Sequence, residues 1–403
     1  MPMTADLDHA ATTRLRPEAL AAMAPFLGDR YGNPSGSHAL GRDAVRAVDE
    51  ARERVADLVG CRPDEVVFTS GGTEADNHAV SGGLPVREGV PVCAAGEHHA
   101  VLEPVAALGG RTVAVDAVGR VRTDVLAGVL DRLGTDAGGP GVGVVSVMAA
   151  NNEVGTVADL DAVADVVAGH APGAVLHTDA VQAAAWLDLR VVAARAGLVS
   201  LSAHKFGGPK GVGVLVARRG VPLRPLLRGG GQEQGRRAGT TDVAGVVGLA
   251  AALAATAERR ADTATAVRAL RDRLADGLVA AVPGLVETTV CDGGRDHLLP
   301  GTCHVLVDDV ASEPLLFLLD REGVRASASS SCSSGAQRPS HVLEALGVVG
   351  DRPRGALRLS LGWDTTDEDV DLALRVVPAA VAHLRTAGSG DRTASSRRTP
   401  AEA

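Results

Sequence analysis

The sequence predicts an α/β protein built on a mostly parallel sheet that is covered on both faces by helices. Short apolar runs without alternation, such as residues 66–69, 142–148, 175–178 and 198–202, have the length and composition of buried strands. Helical segments separate these runs, which is typical of strand–helix–strand units. The chain has 403 residues, of which 45% are hydrophobic, so it can form a large core and more than one domain.

Composition and charge argue against several functional classes. The formal net charge of −9 argues against a nucleic-acid surface as the main partner. We expect no membrane segment and a cytoplasmic location, because the sequence has no run of about 18 apolar residues and no charged-then-apolar leader. An odd number of cysteines without C-x-x-C spacing suits a reducing compartment. These cysteines are Cys61, Cys93, Cys291, Cys303 and Cys332.

A lysine lies between two apolar runs in residues 201–211 (LSAHKFGGPKG). The pattern predicts a strand, a glycine-rich loop and a second strand, with Lys205 at the end of the first strand. A lysine in such a position is poorly hydrated, so its amine can become a nucleophile at neutral pH. An isolated lysine is more often a surface residue of a hairpin turn. Here Ser202 and His204 flank the amine and can hydrogen-bond an anion such as a phosphate.

An aspartate occupies the corresponding position one strand earlier. Residues 177–182 (HTDAVQ) follow an apolar run, which places Asp179 at a strand end. A strand-end aspartate followed by a strand ending in S-x-H-K is the arrangement of a pyridoxal-phosphate enzyme. In such enzymes the lysine forms a Schiff base with the cofactor, and the aspartate pairs with the pyridine nitrogen.

A glycine-rich turn in residues 70–77 (SGGTEADN) leads from a strand into a helix. Glycines let the backbone approach a ligand, and the N–H groups at a helix start bind anions. Many such turns carry Gly-Gly-Thr only to turn and cap, so the lysine motif is needed to favour phosphate binding. A nucleotide-binding protein is disfavoured, because neither G-x-x-x-x-G-K-[ST] nor a G-x-G-x-x-G after the first strand is present.

A single cysteine, Cys332, lies in a run of small polar residues (329–335, SSSCSSG). Such a loop allows a thiolate to move between two positions. The alternative is an incidental cysteine in a serine-rich loop, and the neighbouring cofactor motifs argue against it.

In these motifs the chain resembles the class V aminotransferase group and, within it, the cysteine desulfurases of the NifS/IscS type. The resemblance spans roughly residues 6–385, with at least eight motifs in the family's order. It implies the PLP-dependent transferase fold type I, with a mostly parallel seven-stranded sheet in a large domain and a smaller α+β domain. The expected organisation is an N-terminal segment (1–15) packing with the small domain, a large domain (16–256), a small domain (257–385) and a disordered tail (386–403).

The resemblance also implies a role for each site residue. Pyridoxal phosphate is held covalently by Lys205, while Asp179 binds its ring nitrogen. His98 stacks on the ring and takes part in catalysis, Gln182 binds the phenolic oxygen, and Asn152 lies near that oxygen and the substrate. The two histidines of residues 97–102 (EHHAVL) are expected to point to opposite sides of an extended chain.

The phosphate and the substrate have their own expected ligands. The phosphate ligands are Gly72, Thr73, Ser202 and His204, with Thr240 contributed by the other subunit of a homodimer. Arg358, in a segment reading ALRLSLG, is expected to pair with the substrate carboxylate. No resident metal is expected, although Cys332 is expected to contact an iron–sulfur cluster transiently during transfer.

The implied activity is removal of sulfur from L-cysteine, which gives L-alanine and a persulfide on Cys332. The persulfide passes to an acceptor protein, and a P-S-x-V-L element at residues 339–343 follows at the family's spacing. Two departures from the family are Ala238 in place of a serine, and Ser329, Ser330 and Ser331 in place of Gly-Ser-Ala. These serines are expected to affect transfer rate or partner choice.

Other functions remain open at this point. A selenocysteine lyase or an aminotransferase of the same fold would share the cofactor site, although an aminotransferase would not need Cys332. A non-enzymatic scaffold is disfavoured, because Lys205, Asp179 and Cys332 are all present. The acceptor could serve iron–sulfur cluster assembly, thio-cofactor synthesis, tRNA thiolation, natural-product synthesis or DNA-sulfur modification.

Overall fold

The computed structural model describes residues 4–83, 89–135, 141–291, 294–328 and 340–395, with backbone alone for residues 135 and 388–395. Its strands are β1 (Ala5–Asp6), β2 (Val66–Thr69), β3 (Val90–Ala94), β4 (Arg111–Val113), β5 (Val142–Ser146), β6 (Val175–Asp179), β7 (Leu198–Ser202), β8 (Gly213–Ala217), β9 (Leu285–Glu287), β10 (Thr302–Val307), β11 (Val324–Arg325) and β12 (Ala356–Ser360). Its helices are α1 (Pro17–Met23), α2 (Ala39–Val59), α3 (Gly72–Gly82), α4 (His99–Ala107), α5 (Thr123–Thr135), α6 (Leu160–His170), α7 (Leu189–Val192), α8 (Val243–Ala281), α9 (Ser312–Arg321), α10 (His341–Ala345) and α11 (Asp367–Ser395).

A seven-stranded sheet forms the larger of two compact units, in the order β2-β8-β7-β6-β5-β3-β4. Strands β7, β6, β5, β3 and β4 pair in parallel, while β8 runs antiparallel to both of its neighbours. Every strand except β8 therefore points in the same direction. This arrangement confirms the predicted mostly parallel seven-stranded sheet and the fold class.

The core beneath this sheet explains why α3 can carry a ligand site at its start. Ala75 and Ala79 of α3 are fully buried against Val67, Leu198 and Leu215 of three strands. Their small side chains let the helix lie close to the sheet, and the loss of exposed apolar surface holds it there.

A three-stranded antiparallel sheet, in the order β12-β10-β9, belongs to the other unit, together with the short parallel pair of β1 and β11. This unit comprises Met1–Ala10, Glu153–Gly155 and Thr263–Ala403, and the unit with the large sheet comprises Ala11–Asn152 and Thr156–Asp262. These limits differ by a few residues from the predicted boundaries after residues 15 and 256. The inclusion of Glu153–Gly155 was not predicted.

Two helices extend across limits that were predicted from the sequence. One helix of 39 residues, α8, runs through residue 256, the predicted end of the large domain. No proline interrupts it, and alanine and leucine have high helix propensity. The helix α11 extends to Ser395, so it includes ten residues of the segment 386–403 for which disorder was predicted. Arg385 fastens it by donating to the carbonyls of Pro283 and Asp308 at 2.8 and 2.7 Å.

In the part of the chain that the structure describes, no helix is long and apolar enough to cross a membrane.

A close backbone contact at the start of β8 supports the loop that precedes α3. A Cβ atom on Gly213 would lie 2.6 Å from the Leu201 carbonyl oxygen and 2.8 Å from the Gly71 Cα. We expect Gly213→Ala to lower the free energy of unfolding by about 1–3 kcal/mol, because rigid backbone would have to move. Chemical denaturation measures this loss.

The matched control is Gly128→Ala in the middle of α5, where a new Cβ would meet only the end of the Arg132 side chain at 3.5 Å. We expect this variant to gain about 0.5–1 kcal/mol, because alanine is the better helix former. An unchanged denaturation midpoint for Gly213→Ala would contradict the proposed contact.

Candidate active site

The candidate residues of the larger unit come from the same edge of its sheet. Because β2, β3, β5, β6 and β7 point in one direction, their carboxyl ends meet at that edge. The last residues of these strands and the segments that follow them carry the predicted residues Gly72, Thr73, His98, Asn152, Asp179, Gln182, Ser202, His204 and Lys205. Ligands of open α/β sheets bind in this position.

Lys205 ends a single helical turn that directly follows β7. Its side chain is half-buried, and its Nζ donates to the Ala11 carbonyl at 2.9 Å. Thr13 fastens the same turn, because its hydroxyl donates to the His204 carbonyl at 2.8 Å and accepts the Gly207 N–H at 2.8 Å. The N-terminal segment thus fixes the backbone on both sides of the lysine.

Asp179 ends β6 and is 5% exposed. Burial raises the pKa of its carboxyl group to about 6, while the Val181 N–H, which donates at 2.8 Å, and the positive charge of Lys205 oppose that rise. The group is therefore ionised at neutral pH, although it is almost entirely withdrawn from water.

An open cavity of about 450 Å³ lies over the start of α3. Its lining consists of Ala11, Thr12, Ser70, Gly71, Gly72, Thr73, Glu74, Ser202, His204, Lys210 and Gly211. Gly71 caps the helix at a φ of 151°, which favours glycine. A Cβ on Gly72 would lie 2.9 Å from the Val181 Cγ2, so glycine is also needed for space. Donors and a lysine surround this cavity, which suits an anion.

His204 faces this cavity as a neutral imidazole. Burial, with the positive charges of Lys205 and Lys210, lowers its pKa to about 4. Its Nδ1 lies 3.1 Å from the Thr12 hydroxyl. A neutral ring can donate one hydrogen bond to an anion without adding a charge to the site.

The turn before α3 is also fastened from a distant part of the chain. Glu74 accepts the Ser70 N–H at 2.7 Å and pairs with the Arg237 guanidinium at 2.9 Å. Burial raises the pKa of Glu74, but the hydrogen bonds from Arg237 and Ser70 outweigh it and lower the pKa below its ordinary value. Arg237 thereby ties the glycine-rich segment 228–241 to the candidate anion site.

His98 is the N-cap of α4, and its Nδ1 accepts the Ala100 N–H at 3.1 Å. The expectation that His98 and His99 alternate on an extended chain is wrong, because His99 already begins the helix. With Nδ1 accepting, the proton of a neutral His98 lies on Nε2.

Asn152 and Gln182 also lie at this edge of the sheet. Asn151, the neighbour of Asn152, is buried and donates to the Gly96 carbonyl at 2.9 Å, which is a structural role. Asn152 is half-buried and Gln182 is 8% exposed at the start of a short helical turn. Both side chains remain candidates for the roles that the sequence predicted.

Thr240 is exposed and lines a separate cavity of about 110 Å³, together with Thr69, Ser70 and Gly211. Its predicted contact with a partner's phosphate site remains a prediction.

Arg358 belongs to the other unit, where it lies on β12 and is 5% exposed. Its Nη2 donates to the Asp8 carboxylate at 2.8 Å. On β10, His304 lies directly opposite in the register of the antiparallel pair. Burial and the charge of Arg358 lower the pKa of His304 to about 3, so a neutral group lies beside the arginine.

Cys332 lies outside the described residues. Ser340, the first described residue after it, is held in place, because its hydroxyl caps α10 and hydrogen-bonds the buried carboxylate of Glu153. Pro339, the first residue of the P-S-x-V-L element, also lies outside the described residues.

Several contacts of this site were not found from the sequence. They join residues that are far apart in the chain: the bonds of Thr13, the Glu74–Arg237 pair and the Arg358–Asp8 pair.

The composition contains a separate signal for Lys205 that the sequence analysis did not use. Of the 40 residues that are lysine or arginine, only Lys205 and Lys210 are lysines. Arginine replaces lysine at almost every other basic position, but its guanidinium cannot act as a nucleophilic amine. Both lysines belong to the segment that forms this site.

The comparisons with known proteins agree with this geometry. The family model described as aminotransferase class-V matches residues 6–373. An "IscS-like cysteine desulfurase" of Mycobacterium tuberculosis is 42% identical over 396 residues, which cover 94% of this chain and 97% of that protein. A solved "NifS-like protein" is 34% identical with a TM-score of 0.85, covering 94% of this chain and 100% of that one. A structure titled "SspA in complex with cysteine" is 28% identical with a TM-score of 0.74, covering 90% and 100%. The chain therefore belongs to the class-V aminotransferase family, among the cysteine desulfurases of the NifS/IscS type.

Proposed function

We propose that this protein is a pyridoxal-phosphate-dependent cysteine desulfurase that moves sulfur from L-cysteine to Cys332 and then to an acceptor protein. The observation that carries the proposal is the placement of Lys205 and Asp179 after adjacent parallel strands, beside a cavity suited to an anion. The relatives named cysteine desulfurase and the related structure titled as a complex with cysteine support the substrate class.

The residues present fit pyridoxal phosphate. The cavity over α3 offers the Ser202 hydroxyl, the neutral His204 ring and the first N–H groups of the helix to a phosphate. The ionised Asp179 can hold a proton on a pyridine nitrogen, and Lys205 provides the amine. Gln182 and Asn152 are the candidates for the phenolic oxygen, and His98 for stacking on the ring. When bound, the cofactor supplies an electron sink that weakens the bonds at the substrate's α-carbon.

The chain's own groups then divide the work. The Lys205 amine, when it is free, would be the base that moves the proton of the substrate's α-carbon. Asp179 keeps the ring nitrogen protonated, since a buried carboxylate is stabilised by a neighbouring positive charge. Arg358 pairs with the substrate carboxylate in place of, or together with, its Asp8 partner.

Cys332 is the proposed sulfur acceptor. Its thiolate attacks the sulfur of the substrate, so that an S–S bond forms as the C–S bond breaks. The electrons of the broken C–S bond and a proton go to the β-carbon of the substrate. The product is L-alanine, and the protein retains a persulfide on Cys332. Homodimer formation with Thr240 reaching the partner's phosphate, and transfer to a scaffold, carrier or thiolation enzyme, belong to the same proposal.

The sulfur step is tested by Cys332→Ser. We expect the variant to keep its bound cofactor and to lose alanine formation from L-cysteine by about 100-fold or more, because a serine hydroxyl stays protonated at neutral pH. Cys291→Ser is the matched control, since Cys291 is exposed and belongs to no part of the site. Alanine released per minute is the measurement.

Wild-type turnover by Cys332→Ser would contradict the role of the thiolate even with fold and cofactor right. If the variant lost activity toward L-cysteine but kept it toward L-selenocysteine, the selenocysteine lyase alternative would be favoured.

The charge of Asp179 gives a pH prediction. Because its pKa is raised to about 6, the carboxylate protonates as the pH falls through 6, and its attraction for a protonated ring nitrogen is lost. We expect the ratio of pyridoxal-phosphate affinities, wild type over Asp179→Asn, to be large at neutral pH and to fall below about pH 6.

Equilibrium titration of both apoproteins with the cofactor measures this ratio, and the comparison cancels the titration of the phosphate itself. A ratio that stayed constant from about pH 5 to about pH 8 would contradict the pairing.

A further inference from the structure

Three carboxyl groups are buried together beneath the candidate cofactor site. Asp76 of α3 is 2% exposed, Glu97 is fully buried in the turn after β3, and Asp179 is 5% exposed. Their negative charges act on one another, since Asp179 raises the pKa of both of the others. Buried carboxyl groups that raise one another's pKa do not all ionise together, so at least one holds a proton.

His177 does not neutralise this cluster. The ring is fully buried between two serine hydroxyls, with Nδ1 2.8 Å from Ser146 and Nε2 3.0 Å from Ser200. The nearest carboxylate oxygen, Oδ1 of Asp76, is 3.6 Å away, which is too far for a direct hydrogen bond. Burial also lowers the pKa of His177 to about 3. The imidazole is therefore neutral, and among the described residues no ion pair holds Asp76 in its charged form.

The surroundings of Asp76 suit a neutral acid better than an anion. Burial and the negative charges of Asp179 and Glu97 raise the pKa of its carboxyl group, and a hydrogen bond with the Ser200 hydroxyl lowers it only in part. Within the part of the chain that is described, Oδ1 has no hydrogen-bond partner and is inaccessible to water. An unpaired oxygen costs far less on a protonated acid than on a buried carboxylate.

Asp179 is the member of the cluster that is stabilised as an anion. It accepts the Val181 N–H and faces the positive charge of Lys205. Glu97 accepts the Met148 N–H at 2.6 Å, but burial outweighs this bond and raises the pKa of its carboxyl group. The strands β2 and β8, which also pack on α3, carry no titratable side chain, and His99 and Glu103 of α4 pair with each other at the surface.

We propose that Asp76 is a positioning residue that remains protonated, so that Asp179 is the ionised carboxylate of the pair. The cluster is not arranged as a metal site, because the described residues contain no group of three such side chains able to hold a metal ion. The functional part of this inference depends on the proposed pairing of Asp179 with pyridoxal phosphate. The protonation state itself does not depend on it.

The direct test is infrared spectroscopy of Asp76→Asn, since the carbonyl band of a protonated acid is separate from that of a carboxylate. We expect the difference spectrum, wild type minus variant, to show a lost acid band at neutral pH. Asp43→Asn is the matched control. Asp43 is bound by Arg30, which lowers the pKa of its carboxyl group, so this change must remove a carboxylate band. A lost carboxylate band for Asp76→Asn would overturn the proposal.

Thermal unfolding gives an independent readout with a definite sign. The unfolded aspartate is ionised above about pH 4, so folding takes up a proton at Asp76 and becomes less favourable as the pH rises. Asp76→Asn removes this proton uptake. The Tm of the variant minus that of the wild type is therefore expected to rise from about pH 5 to about pH 8, while Asp43→Asn gives a flat difference. A flat difference for Asp76→Asn would contradict the proposal.

A third measurement connects Asp76 to the cofactor site. Because asparagine imitates a neutral acid, we expect Asp76→Asn to move the pH midpoint of cofactor affinity by less than about half a unit. A downward shift of about one unit or more would mean that Asp76 is charged in the wild type. If Asp76→Asn does not fold, Glu97→Gln decides. This variant removes any infrared band of Glu97. The band of a protonated acid must then persist up to about pH 8, because it belongs to Asp76.

Discussion

The buried negative charge of Asp179 is the constraint on which the rest of the site depends. A carboxylate withdrawn from water at the end of a strand is costly unless nearby groups stabilise it. The Val181 N–H and the charge of Lys205 do so in part, and the pKa still remains near 6. A protonated pyridine nitrogen would complete this stabilisation. A single ion pair would thus stabilise the buried carboxylate of Asp179 and keep the ring nitrogen of the proposed cofactor protonated.

The parallel sheet explains how residues from distant parts of the chain reach this charge. Strands that point the same way deliver their carboxyl ends to one edge, so each following turn can contribute one group. The antiparallel strand β8 lies between β2 and β7, and its first residue, Gly213, lies close to the Gly71 backbone. The alanines of α3 allow the helix to lie against the sheet, which brings both its N-terminus and Asp76 to the same site.

The sequence was sufficient for those parts of the site that come from local motifs. Lys205, Asp179 and the Gly71–Gly72 turn each follow a recognisable apolar run, so the period and the flanking residues predicted their positions. The contacts of Thr13 with residues 204–207, and of Arg237 with Glu74, depend on tertiary folding and leave no local pattern. The prediction that His98 and His99 alternate along an extended chain was wrong, because the helix α4 already begins at His99. The buried state of Asp76 was equally hidden, since an aspartate in the first turns of a helix is usually exposed.

The proposed attachment of pyridoxal phosphate to Lys205 can be tested directly, because lysine is scarce in this chain. Borohydride reduction of the cofactor-loaded protein fixes the cofactor to the lysine that carries it, and peptide mass spectrometry locates the label. The chain has two lysines, and Lys210 lines the cavity over the start of α3, so it is an internal control for nonspecific reaction. We expect one label per chain, on Lys205. A label on Lys210, or no label after reconstitution with the cofactor, would contradict it.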